Sequence, residues 1–195
     1  MTVKLLASAA IAAAMMATAP AQAEILSYTS SLDGLQEVPP VVTDVTGSAT
    51  LTVDTDTETL NFSLDVIGLT LEQLNDGLVA GALGPIHFHD AVRGVNGPIV
   101  IPFPFDTGYS ATETGFSLVI NDYAFDDAIA LSGAMETFES FVAGLNDESY
   151  YINVHSDANG GGEIRGQLVP VPAPAALGLL GFGLAGLAAI RRRKA

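Results

Sequence analysis

Ala49-Thr50-Leu51-Thr52-Val53-Asp54-Thr55-Asp56-Thr57-Glu58-Thr59-Leu60-Asn61-Phe62-Ser63-Leu64-Asp65-Val66 is the stretch that decides the fold. Ala49, Leu51 and Val53 alternate with Thr50 and Thr52. Leu60, Phe62, Leu64 and Val66 alternate with Asn61, Ser63 and Asp65. A period of two puts each apolar set on one face of a strand. Asp54 to Thr57 between them is turn chemistry, because short oxygen-bearing side chains bond their own backbone. The segment therefore predicts a hairpin with one dry face and one wet face.

Working outward, similar short runs recur at 25–32, 86–91, 98–103, 116–120, 150–155 and 163–168. Short strands separated by turn residues predict an all-β fold, a Greek-key β-sandwich of the immunoglobulin-like or superoxide-dismutase-like kind. Two stretches break the pattern. Leu69–Leu83 reads as a helical turn or ordered loop. Phe125, Ile129, Met135, Phe138 and Val142 lie near helical spacing and predict a short helical insertion over 125–145.

The two ends read as addresses rather than as fold. Met1 to Lys4 is cationic, Leu5 to Ala17 is apolar, and Ala21-Gln22-Ala23 offers the small residues a signal peptidase reads. Residues 1–23 are thus expected to be a signal peptide, with Ala23 at the cleavage point. At the other end, Val169-Pro170-Val171-Pro172-Ala173-Pro174 runs into the uncharged stretch Ala175 to Ile190, then Arg191, Arg192, Arg193 and Lys194. As a helix, that stretch would span roughly 24 Å, against a hydrocarbon core of about 30 Å. The cations would stay on the cytoplasmic side. This tail over 169–195 resembles a PEP-CTERM sorting signal, the C-terminal tag of exopolysaccharide-making bacteria. The resemblance implies that an exosortase-type membrane protease removes the tag after export. It also implies contact with the membrane through the apolar helix before processing. Here the prolines stand without the Glu of the name-giving tripeptide.

Between the ends lies one domain, residues 24–168. It holds all 22 acids of the chain against two cations, Arg93 and Arg165, for a net charge of −20. So acidic a surface excludes nucleic acid and disfavours anionic lipid. The chain has no Cys, so the core alone must stabilise an exported domain.

Three histidines carry the candidate chemistry. In Pro85-Ile86-His87-Phe88-His89, strand alternation sets both His opposite Ile86 and Phe88. In Tyr150-Tyr151-Ile152-Asn153-Val154-His155, the dry face is Ile152 and Val154, so His155 also lies opposite the core. Glu163, Arg165 and Gln167 are expected to face outward in the same way, with Glu163 and Arg165 forming an ion pair. An H-x-H pair plus a third His from another strand is a candidate site for Cu or Zn. The same residues also serve as ordinary hydrogen-bonded scaffolding. Calcium is a separate candidate, at Asp157, Asn159 and Glu163 in a glycine-rich loop, or at Asp54, Asp56 and Glu58. No nucleophile elbow, phosphate loop or Cys nucleophile is present, and no enzyme activity is expected.

Several segments resemble, in order, a CHRD domain, the repeat first described in chordin. They are Leu32-Asp33-Gly34-Leu35-Gln36-Glu37-Val38-Pro39-Pro40, Gly47-Ser48-Ala49, Gly84-Pro85-Ile86-His87-Phe88-His89, Asn96-Gly97-Pro98-Ile99-Val100, Tyr151-Ile152-Asn153-Val154-His155-Ser156 and Gly162-Glu163-Ile164-Arg165-Gly166-Gln167-Leu168. The resemblance implies a β-sandwich in an extracellular setting and no established reaction. The paired His on one strand are also similar to copper ligands of Cu,Zn superoxide dismutase. This chain lacks that enzyme's disulfide and has too few His for both metals. The expectation is an exported envelope or matrix protein with a structural or binding role, meeting polysaccharide or a surface protein. A metalloprotein using His87, His89 and His155 is the alternative.

Overall fold

A computed structural model describes residues 24–106 and 108–172. The predicted leader with its Ala23 exit lies outside the described residues, as does the tail from Ala173 onward, including Pro174, Arg191, Arg192 and Arg193. Among the described residues no helix is long and apolar enough to cross a membrane.

The all-β expectation holds. The strands are β1 (Ile25–Asp33), β2 (Thr46–Asp54), β3 (Thr59–Ile67), β4 (Ile86–Asp90), β5 (Ile99–Phe103), β6 (Tyr109–Ala111), β7 (Gly115–Ala124), β8 (Tyr150–Val154), β9 (Ile164–Gln167) and β10 (Val169–Pro170). They form one antiparallel sheet in the order β5-β4-β8-β9-β1-β2-β3-β7-β6, with β10 also on β1. β9, which follows β8 in a hairpin, pairs with β1, so the last strands of the chain lie beside the first.

The sheet curls until its two arms face each other. Phe62 on β3 stacks on Phe103 of β5 at 4.7 Å and meets the edge of Phe88 on β4 at 5.0 Å. Leu51, Val53, Leu60 and Leu64 from one arm and Ile86, Ile152, Val154 and Ile164 from the other share this core. Burying each such side chain stabilises the fold by about 1.5–3 kcal/mol.

The deciding hairpin forms as read. β2 and β3 pair from Thr46↔Ile67 to Asp54↔Thr59. At the tip, Asp54 accepts from the N–H groups of Asp56 (2.9 Å) and Thr57 (3.1 Å). The stretch 69–83 is a short 3-10 turn (Leu71–Gln73) followed by helix α1 (Asp76–Val79). The insertion holds two helices, α2 (Phe125–Ser132) and α3 (Phe138–Asn146). Gly133 ends α2 in the left-handed region at φ 70°, a conformation that costs glycine little. Met135, expected on the helical stripe, sits in the connection and is fully exposed. Val169 and Pro170, read as the start of a linker, instead pair with Thr29 and Tyr28 of β1. The chain therefore leaves the domain beside the strand on which it entered.

Candidate metal centre

β4, β8 and β9 carry two faces of opposite chemistry. Ile86, Phe88, Ile152, Val154 and Ile164 point into the core. The other face carries His87 and His89 from β4, Tyr151 and Asn153 from β8, and Arg165 and Gln167 from β9. Registers His87↔Asn153↔Arg165 and His89↔Tyr151↔Gln167 set them side by side. His155 and Glu163 extend the same face just beyond the strand ends.

This second face is opposite the core, as the alternation requires, but it is not open to water. The loop after β4 and the segment between β1 and β2 close over it. Arg165, 2 % exposed, donates to Val95 O (2.8 Å), Asn96 Oδ1 (3.2 Å) and Val92 O (3.3 Å). Gln167 donates to Ala91 O (3.0 Å) and Glu148 O (2.6 Å). Asn96 in turn holds the other loop, donating to Val38 O at 2.9 Å. Glu163, Arg165 and Gln167 thus face away from the core as expected but are buried, because loops supply backbone carbonyls to the Arg165 guanidinium and the Gln167 amide N–H groups.

Glu163 and Arg165 do not pair either. The Glu163 carboxylate accepts from Thr43 (2.5 Å), Ser156 (2.6 Å) and Asn159 (2.6 Å). Burial pushes its pKa up, but those three donors outweigh burial and hold it below the ordinary range. Asp157 accepts from the backbone N–H of Asp76 at 2.9 Å. Asp157, Asn159 and Glu163 therefore each serve a hydrogen bond within the chain.

His87, His89 and His155 come together. Their ring centroids lie 4.8 Å (87–89), 4.6 Å (87–155) and 6.3 Å (89–155) apart. One nitrogen from each lies within 4.8 Å of the others. Three imidazoles bound through nitrogen to one ion at 2.0–2.1 Å would have centroids about 5 Å apart; the two spacings from His87 match this, and the 89–155 spacing is wider.

Each ring is locked by a glycine carbonyl. Nδ1 of His87 faces Gly84 O at 3.3 Å, that of His89 faces Gly97 O at 2.8 Å, and that of His155 faces Gly160 O at 3.0 Å. A carbonyl can only accept, so each Nδ1 carries the proton and each Nε2 keeps its lone pair. All three Nε2 atoms are buried and have no hydrogen-bond partner. Carbonyl-oriented imidazoles of this kind are the usual outer support of a metal site.

Two of these carbonyls need glycine. A Cβ on Gly84, at φ 70°, would lie 1.9 Å from Phe103 O, and one on Gly97 would lie 1.9 Å from Asp90 O. Gly97 also donates its N–H to the Tyr151 hydroxyl at 3.3 Å. Its peptide thereby fixes His89 and the Tyr151 ring stacked parallel to it, at 4.8 Å and 3°.

Burial is the main electrostatic influence on the rings. It lowers the pKa of His87 to about 2, helped by His155 and His89, and that of His89 to about 4. It also lowers that of His155. All three are neutral near pH 7, as metal ligation requires. Beside them, burial raises the Glu37 carboxyl to about 7 against the opposing charge of Arg165. Glu37 Oε1 and Asn153 Oδ1 are also buried and unpartnered, and both crowd Gly162.

Sequence reading found the three histidines but gave no role at the site to Tyr151, Glu37 and the three glycines. Gly84 and Gly97 both precede Pro at the entrance to a strand, the one available signal that their backbone is constrained.

Fold and site together define an all-β domain with a polar face roofed by its own loops. The chain belongs to the CHRD-domain family: the CHRD domain model matches residues 28–168. A PEP-CTERM protein-sorting motif matches residues 170–194, which implies export, processing by an exosortase-type enzyme and a cell-envelope or surface location. No match was found among curated proteins or among solved structures.

Proposed function

We propose that this exported domain is a metal-holding binding module of the cell envelope, and not an enzyme. His87, His89 and His155 would hold one Cu or Zn ion through Nε2. The observation that carries this reading is the set of three buried, unpartnered Nε2 atoms, each fixed by a hydrogen bond at Nδ1. A buried polar atom without a partner costs about 1–3 kcal/mol, and three aimed together favour a shared ligand. The acidic surface supports the same reading, since it gathers cations from outside the cell.

Elemental analysis of the purified exported protein tests it, beside a His87→Ala/His89→Ala variant. We expect close to one equivalent of copper or zinc in the first sample and none in the second. Protein that stays metal-free when both ions are offered would return these histidines to scaffolding.

A further inference from the structure

We propose that the three-histidine centre is built for monovalent copper in preference to any divalent ion, and that Arg165 strengthens this preference. The inference rests on the metal-holding reading and names the ion.

The donor set is the first reason. The cluster offers three neutral imidazoles and no thiolate or carboxylate. A divalent ion bound there keeps its full double charge, while Cu(I) keeps a single one. The cost of moving an ion out of water scales with the square of its charge, so the divalent complex costs about four times as much. Burial makes that difference count. His87 is 1 % exposed and His155 6 %, and no Nε2 reaches solvent.

Coordination number is the second. Zn²⁺ takes four ligands, completed by water where the protein supplies three. Three neutral nitrogen donors satisfy a d¹⁰ monovalent ion in a plane without a fourth. A dry cluster of three nitrogens suits the second ion.

The third is a fixed positive charge. The Arg165 guanidinium carbon lies 3.3 Å above the centroid of the Tyr151 ring. Tyr151 stacks on His89 at 4.8 Å, and strand order places Tyr151 between the two. Arg165 is hydrogen-bonded to Val92 O, Val95 O and Asn96 Oδ1 rather than held in an ion pair among the described residues. The nearby Glu37 carboxyl, which burial keeps partly protonated, offsets the guanidinium charge only in part. The Arg165 charge is therefore only partly offset beside the centre and opposes a second positive charge more than a first. Tyr151 touches the ligand His89 and Arg165 touches Tyr151, so both act as positioning residues.

The test titrates metal-free mature protein without oxygen. Cu(I) is competed against a chromophoric Cu(I) chelator; Zn²⁺ and Cu²⁺ are competed against chelators of their own. We expect one Cu(I) per chain, bound at least roughly 100-fold tighter than either divalent ion. Arg165→Gln should narrow the Cu(I)-over-Cu²⁺ preference roughly tenfold, and Arg165→Lys should preserve it. Melting curves establish that both variants fold, and if Arg165→Gln does not, the wild-type preference decides. Zinc bound as tightly as Cu(I) would overturn this inference and leave the metal site standing. Failure of all three ions to bind would overturn both.

Discussion

The β2–β3 hairpin and the β8–β9 hairpin carry nearly the same alternation of apolar and polar residues, yet they use their second face differently. On β2 and β3 the outer residues Thr50, Asp65 and Ser63 are exposed or half-buried. Every residue of β8 and β9 is buried. What differs is the covering. Long loops return over β8 and β9, and the polar side chains beneath them are large enough to bond the loop backbone. One face thus becomes a surface and the other a second, polar interior. A polar interior is costly unless its groups are satisfied, so the few unsatisfied atoms in it mark where a ligand belongs.

The comparison breaks most visibly on the apolar side of the covered arm. Phe88→Ala should destabilise the domain by about 3–5 kcal/mol, read from urea unfolding. A loss under about 1 kcal/mol would mean that the two arms do not share one core. Next is the support of the polar interior. Gly97→Ala forces a Cβ onto Asp90 O and should cost about 1–3 kcal/mol. It should also weaken metal uptake about 10–100-fold, because it disturbs the carbonyl that orients His89. Unchanged metal affinity in a folded Gly97→Ala protein would remove that carbonyl from the account.

Acid should act most strongly on the covered face. Unfolded imidazoles protonate near pH 6.5, whereas the folded values are about 2 for His87 and about 4 for His89, and lowered for His155. Protons therefore favour the unfolded chain as the pH falls below 6.5. The metal-free domain should lose up to about 1.4 kcal/mol per pH unit for each of His87 and His89 between 6.5 and 4, with His155 adding in the same direction. Glu37 works the other way. Its folded value of about 7 lies above the ordinary 4.5, so its burden appears as the pH rises from 4.5 through 7. Glu37→Gln should stabilise the protein at pH 8 and not at pH 4. Urea midpoints across this range check both signs. The smallest effect belongs to the open face: Thr50→Ala should stay within about 0.5 kcal/mol. A larger loss would show that face to be covered as well.

The strand pattern and the shared face of His87, His89 and His155 were legible because a period of two is a local property. The burial of that face was not. It depends on Val92, Val95 and Asn96 reaching Arg165 across about seventy residues of chain, and spacing within one strand carries no trace of that. The same limit explains the Glu163–Arg165 pair. Two charges two residues apart share a face, but Thr43, Ser156 and Asn159 reach Glu163 first. Met135 fits a helical stripe by number, and Gly133 ends the helix before it.

The most direct measurement is the tautomer of each histidine in the metal-free protein, read from long-range ¹H–¹⁵N spectra near pH 7. The structure predicts that His87, His89 and His155 all carry their proton on Nδ1, although free imidazole side chains favour Nε2. That result would establish three lone pairs turned inward toward one point. Protons on Nε2 would mean that the glycine carbonyls do not orient the rings, and the covered face would be no metal centre.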